Sequence, residues 1–180
     1  MHQLLLTGGL WPPTRAVLVH LWSVPSRGPY GRCMDVPALL NTAGGFVGTL
    51  GARVQSSSRD GALLRLDAGP ELHNHIGGPH AAAIFGLGET AAFALLLEVF
   101  GDLVESGAAV PLIKSGHIDY SAVATGPLLA TSRLIDDEDT ARASLAQRGV
   151  ATFDVEVLFH READDVQTAV MTARMALKAT

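Results

Sequence analysis

The sequence predicts an α+β domain in which a curled antiparallel sheet wraps a long central helix. Two observations carry this expectation. Pro79 to Leu97 is apolar on nearly every side of a helix, and Glu89 is the only acid between Glu71 and Glu98. A helix apolar all round has to be enclosed by other elements. A hairpin signal precedes this stretch and four strand-like segments follow it, which supplies a sheet able to do the enclosing.

In chain order, Val36 to Leu50 places Val36, Leu39, Leu40, Phe46, Val47 and Leu50 at roughly helical spacing, with Pro37 in the first turn. Ala52–Ser58 and Ala62–Asp67 read as strands around Ser58-Arg59-Asp60-Gly61, whose Asp-Gly favours a hairpin. Gly69 to Gly78 is a loop rich in His, Asn and Gly. The central helix is expected from Pro79, at its first position, to about Phe100-Gly101. Strands follow at Pro111–Ser121 and Pro127–Ile135, then a charged helix at Asp136–Gln147 that opens on Asp136-Asp137-Glu138-Asp139. Val150–His160 alternates cleanly, with Ala151, Phe153, Val155, Val157 and Phe159 on one face. Val166–Leu177 is the last strand, after a turn at Asp164-Asp165. A curled sheet of this kind leaves edge strands open, and edge-to-edge dimerisation would cover them.

Composition narrows the function classes. A chain of 180 residues, 48% apolar and 17% charged, is long enough to bury a core and too apolar for global disorder. The net charge of −5 gives no basic footprint for nucleic acid. Cys33, the only cysteine, excludes a disulfide framework and cysteine zinc patterns. No uninterrupted apolar run reaches the length of a membrane span. Residues 1–33 differ from the rest: they contain Arg15, Arg27 and Arg32, both tryptophans and four of nine prolines, while all 18 acids lie beyond them. A targeting presequence, a disordered arm and a true translation start at Met34 compete as explanations, and the last is preferred. Pro12, Pro13 and Arg15 break any secretory pattern, so a cytoplasmic location is expected for a domain spanning 34–180.

The chemistry gathers at the helix entrance. The first N–H groups of a helix lack intrahelical partners and carry the positive end of its dipole. With Pro79 in the first turn, the N–H groups of His80 and Ala81 are expected free to meet a carbonyl oxygen, and small residues at 81 to 83 leave them approachable. That is what an oxyanion site in acyl transfer requires. Asn74 offers an amide that would position water or a substrate group. Glu89, a lone acid expected in an apolar setting, is the candidate base or nucleophile. Eight helical residues separate Ala81 from Glu89, roughly 12 Å at about 1.5 Å per residue. One carbonyl does not easily touch both, so donor and acid fit better on different chains of a symmetric dimer with antiparallel central helices.

The string Asn74-His75-Ile76-Gly77-Gly78-Pro79-His80-Ala81, followed by Glu89, resembles the hotdog-fold acyl-CoA thioesterases, nearest to the phenylacetate-degradation type and its uncharacterised relatives. Their pattern is an Asn, a Gly three residues on, a His-Gly at the helix start, and an acid two to three turns later. Asn74, Gly77, His80 and Glu89 match it, and the resemblance extends over about Met34 to Lys178. It implies hydrolysis of acyl-CoA or acyl-carrier thioesters without a cofactor, by a homodimer or a dimer of dimers. It also implies that the amide after the His polarises the thioester and that the acid comes from the partner subunit. Gly77, Gly78, Phe85, Lys114 and Ser115 are expected to line the substrate. Position 81 departs from the pattern, being Ala where many active members have Gly, and the methyl would narrow the approach to the amide.

Plainer readings stand beside these. Glu89 could be a buried acid satisfied by a neighbour, Asn74 a loop amide capping local backbone, and His80 a helix-start histidine held by backbone. His73-x-His75 with His80 suggests a metal-dependent enzyme, but only Glu71 lies near as an acid, and no metal is expected. Ser115, His117 and Asp119 share a strand face, yet alternate positions lie ~7 Å apart, too far for a triad. A non-hydrolytic acyl-thioester binding module on the same fold is the main alternative.

Overall fold

The computed structural model describes residues 34–180. The expected extension 1–33, with Cys33 and both tryptophans, lies outside the described residues. Asp35 opens the first helix, α1 (Val36–Asn41), by accepting the Ala38 N–H at 2.9 Å. The single helix expected over Val36–Leu50 is two, because Gly44 is extended and Gly45 has φ +62°; α2 spans Gly45–Leu50. The hairpin follows as β1 (Arg53–Ser58) and β2 (Gly61–Leu66), then a 3₁₀ turn at Pro70–Leu72. The long helix is α3 (Ala81–Glu105). After it come β3 (Ala109–Tyr120), β4 (Leu128–Leu134), α4 (Glu138–Arg148), β5 (Val150–Arg161) and β6 (Gln167–Ala179).

The six strands form one antiparallel sheet in the order β1-β2-β4-β5-β6-β3. It curls around α3, which touches every strand. The expected inward face of β5 is the buried one: Ala151, Phe153, Val155, Val157 and Phe159 are each at most 1% exposed. Close approach of helix to sheet depends on Gly88, where an added Cβ would lie 2.5 Å from Met171 Sδ and 2.7 Å from Phe159 Cζ. By length and composition α3 would suit a membrane, with a mean hydropathy of 1.7 over 18 residues, which counting uninterrupted apolar runs did not bring out. Within this fold 78% of that window is buried.

Helix α3 runs past its expected end. Phe100 leaves helical geometry (φ −122°, ψ 16°), and a final turn continues to Glu105. The carbonyls freed at the break are taken by guanidinium groups: Val99 O accepts from Arg142 at 2.7 Å and from Arg59 at 3.2 Å, and Glu98 O from Arg59 at 3.3 Å. A side chain entering the hydrogen-bond ladder is a recognised cause of a kink. Arg142 comes from α4, lies over the Phe100 ring and pairs with Asp102 and Glu138, so the charged insertion covers the break.

Candidate active site

The entrance of α3 differs in detail from the expected one. His80, not Pro79, is the capping residue, and its backbone is extended (φ −64°, ψ 146°). Its N–H donates to Leu72 O at 2.7 Å, so it is not free for a ligand. Its ring Nδ1 accepts the Ala82 N–H at 3.0 Å, and its carbonyl accepts from Ala83 and Ile84. A neutral ring accepting at Nδ1 carries its proton on Nε2. Of the first amides, that of Ala81 is left with no acceptor among the described residues. Ala81 is exposed. The single free donor at the positive end of a 25-residue helix therefore belongs to the residue where one was expected.

The loop before it is self-braced. Asn74 Oδ1 accepts the N–H groups of Ile76 (3.0 Å) and Gly78 (3.2 Å), and its Nδ2 donates to Pro79 O at 3.3 Å. The local-backbone role weighed for Asn74 is the one displayed, and only one Nδ2 hydrogen is left for anything else. Gly77 has φ +80°, in the left-handed region that glycine tolerates. Gly78 passes so close to the Ala124 carbonyl that a side chain there would clash. Both glycines thus shape the loop beneath the entrance.

Glu89 is half-buried rather than enclosed, with no hydrogen-bond partner among the described residues. At about 100° per residue, Ala81, Ala82, Phe85, Glu89 and Phe93 share the one stripe of α3 that the sheet leaves partly open. The acid is a group on an uncovered face, and the expectation of a carboxylate surrounded by apolar side chains is corrected. On one flank Phe46 of α2, 63% exposed, lies over Gly86, where an added Cβ would stand 2.8 Å from its ring. On the other flank the Phe85 ring fits against Gly116 of β3. The result is a strip along α3 between α2 and β3, with the free amide at one end and the carboxylate about two turns on.

Strand β3 carries the remaining candidates. Lys114 is the extra residue of a bulge between Ile113 and Ser115; it is exposed and pairs with no acid among the described residues. Ser115 is exposed beside it. His117 and Asp119, expected too far apart for a triad with Ser115, pair with each other in solvent, Nε2 to Oδ2 at 3.2 Å. His73 bonds Ala68 O at 3.1 Å, and no group of three potential metal ligands occurs among the described residues.

Two residues were missed. Tyr120, at the end of β3, donates its hydroxyl to Ala81 O at 2.9 Å, and burial pushes its phenol up. Phe46 forms the strip's other wall. A tyrosine ending a strand and an aromatic in a glycine-rich segment have no local signature, so nothing in the sequence distinguished them.

Solved structures share this architecture. A Pseudomonas aeruginosa protein of unknown function, described as a probable thioesterase, superposes with a TM-score of 0.68 at 24% identity, over 81% of this chain and 94% of that one. A thioesterase of Staphylococcus aureus, solved as a glutamine-to-alanine variant, gives 0.57 at 16% identity over 73% and 97%. At these identities the likeness establishes the fold, that of the hotdog proteins. No curated protein matches the chain. A family model described as a domain of unknown function, DUF4442, matches residues 36–177, and the chain belongs to that family.

Proposed function

We propose that this protein hydrolyses acyl thioesters of coenzyme A or an acyl carrier, at sites shared between two copies of the chain. The carrying observation is that one stripe of α3 pairs two groups that have no partner among the described residues, the helix-entrance amide of Ala81 and the carboxylate of Glu89. The amide and the helix dipole would stabilise the oxyanion on the thioester oxygen. Glu89 of the other copy would take a proton from water as the water oxygen bonds the carbonyl carbon. Collapse of the tetrahedral species breaks the C–S bond, and the departing sulfur takes up the proton, leaving acid and thiol. Attack by Glu89 itself, through an anhydride, uses the same geometry. The His80 Nε2–H would face the substrate, while Asn74, Gly77 and Gly78 hold the loop. Phe85 would floor the acyl strip, and Lys114 and Ser115 would meet the carrier.

Sharing between copies is supported by the eight-residue offset and by β3. Among the described residues that strand ends the sheet with one side unpaired, and Val110, Leu112 and Tyr120 are between 46% and 48% exposed along it. A second β3 would complete the edge. The proposal is tested by Glu89→Gln assayed against a series of acyl-CoA chain lengths. The expected loss in kcat is about 10²- to 10⁴-fold, the scale of a missing general base. Wild type and variant equally inert, with acyl-CoA still bound, would sink hydrolysis and leave a binding module.

A further inference from the structure

The donor's surroundings single out one more residue. Each polar group next to the Ala81 N–H is tied down, while that N–H has no acceptor among the described residues. The His80 N–H is held by Leu72 O, the His80 ring holds the Ala82 N–H, and the Ala81 carbonyl receives the Tyr120 hydroxyl. The first two ties come from the loop and the helix itself. The third comes from across the fold, from the last residue of β3. Tyr120 is set in place by its own strand: it pairs with Ala169 of β6, and the next residue, Ser121, donates to Thr168 O at 2.8 Å. Partial burial pushes its phenol up from the usual tyrosine value, so at neutral pH it is a donor.

We infer that Tyr120 is a positioning residue for thioester hydrolysis, fixing the first turn of α3 so that the Ala81 amide is aimed before substrate arrives. This rests on the hydrolytic reading above. Oxyanion donors act through preorganisation, and small misplacements of the donor are costly to rate. A carbonyl oxygen has a second lone pair free for a side-chain donor in addition to its helical bond. The phenol uses it at the donor residue's own carbonyl, one peptide unit on from the N–H. Because Tyr120 lies on the unpaired edge strand, the same hydrogen bond links the edge where a second chain would add to the amide that meets the substrate.

Tyr120→Phe keeps the ring and deletes the bond. The experiment compares kcat and KM for acyl-CoA hydrolysis in wild type, Tyr120→Phe and Glu89→Gln, alongside amide hydrogen exchange at the bonded entrance amides of Ala82, Ala83 and Ile84. The expected result is a kcat lowered about tenfold with KM changed less than about twofold, and faster exchange at the entrance alone. An unchanged kcat in Tyr120→Phe overturns the inference even when Glu89→Gln is dead, in which case the hydrolytic reading survives it. A fall in kcat matched by a fall in global stability, with exchange faster throughout, also overturns it, since that is a structural effect. If wild type hydrolyses nothing, the hydrolytic reading fails and the positioning role with it; entrance exchange then reports only whether the anchor exists.

Discussion

Gly77 and Gly78, adjacent in the chain, are glycine for different reasons. Gly77 needs a left-handed φ of +80°, so Gly77→Ala should destabilise by about 1–2 kcal/mol, read as a lowered urea midpoint. Gly78 needs room beside the Ala124 carbonyl, and a substituent there has to move backbone. The residues of this loop were legible as a motif, while their reasons were not: the turn angle and the passing carbonyl belong to the folded chain. Ala81 allows a sharper test. It is the first helical residue, where proline is tolerated, and His80 before it is already extended as a pre-proline residue must be. Ala81→Pro should therefore fold with near wild-type stability by thermal melt and lose the proposed thioester hydrolysis, because only the donor hydrogen is gone. Normal turnover by that variant would remove the amide from the mechanism. Glu89 stood out in sequence as a lone acid in apolar surroundings, but its exposure depends on which stripe the sheet leaves open, and the periodicity of a helix apolar all round does not show that.

Among the elements, the strands were the more legible, because alternation in Val150–His160 maps directly onto one buried face. The helices were less so. The single helix expected over Val36–Leu50 is broken at Gly44-Gly45, and the end expected near Phe100 is a kink. Whether a helix stops or bends there depends on who accepts responsibility for the freed carbonyls, and Arg59 and Arg142 are 40 or more residues away in sequence. Arg142 should accordingly be a strong stability residue, with Arg142→Met losing about 1–2 kcal/mol in urea titrations. Its partner gives a pH signature. The hydrogen bond from Arg142 holds the Asp102 carboxyl below the usual range. A folded value below the unfolded one adds stability above about pH 4, which is lost as pH falls through the folded value. Between pH 5 and 2 the stability of wild type should therefore fall more steeply than that of Arg142→Met. Parallel curves would mean the pair contributes nothing through protonation.

For the whole molecule, an architecture of sheet around helix followed from the need to enclose an apolar helix, whereas the strand order required pairings that no local pattern encodes. The unpaired β3 edge makes assembly part of the proposed chemistry. Activity per chain should decline on dilution below the dimer dissociation constant, in step with sedimentation measurements; a specific activity constant through dissociation would confine the site to one chain. Mixing Ala81→Pro with Glu89→Gln should restore one working site per mixed dimer, pairing an intact amide with an intact acid. The rigid spacing of these two groups along one helix also has a genetic meaning. In the proposed dimer each chain would lend its amide to one site and its acid to the other. A single substitution spoils one of the two sites in a dimer with a normal partner. A copy carrying both substitutions spoils both, and so behaves as a dominant inhibitor of the normal allele when the two are co-expressed.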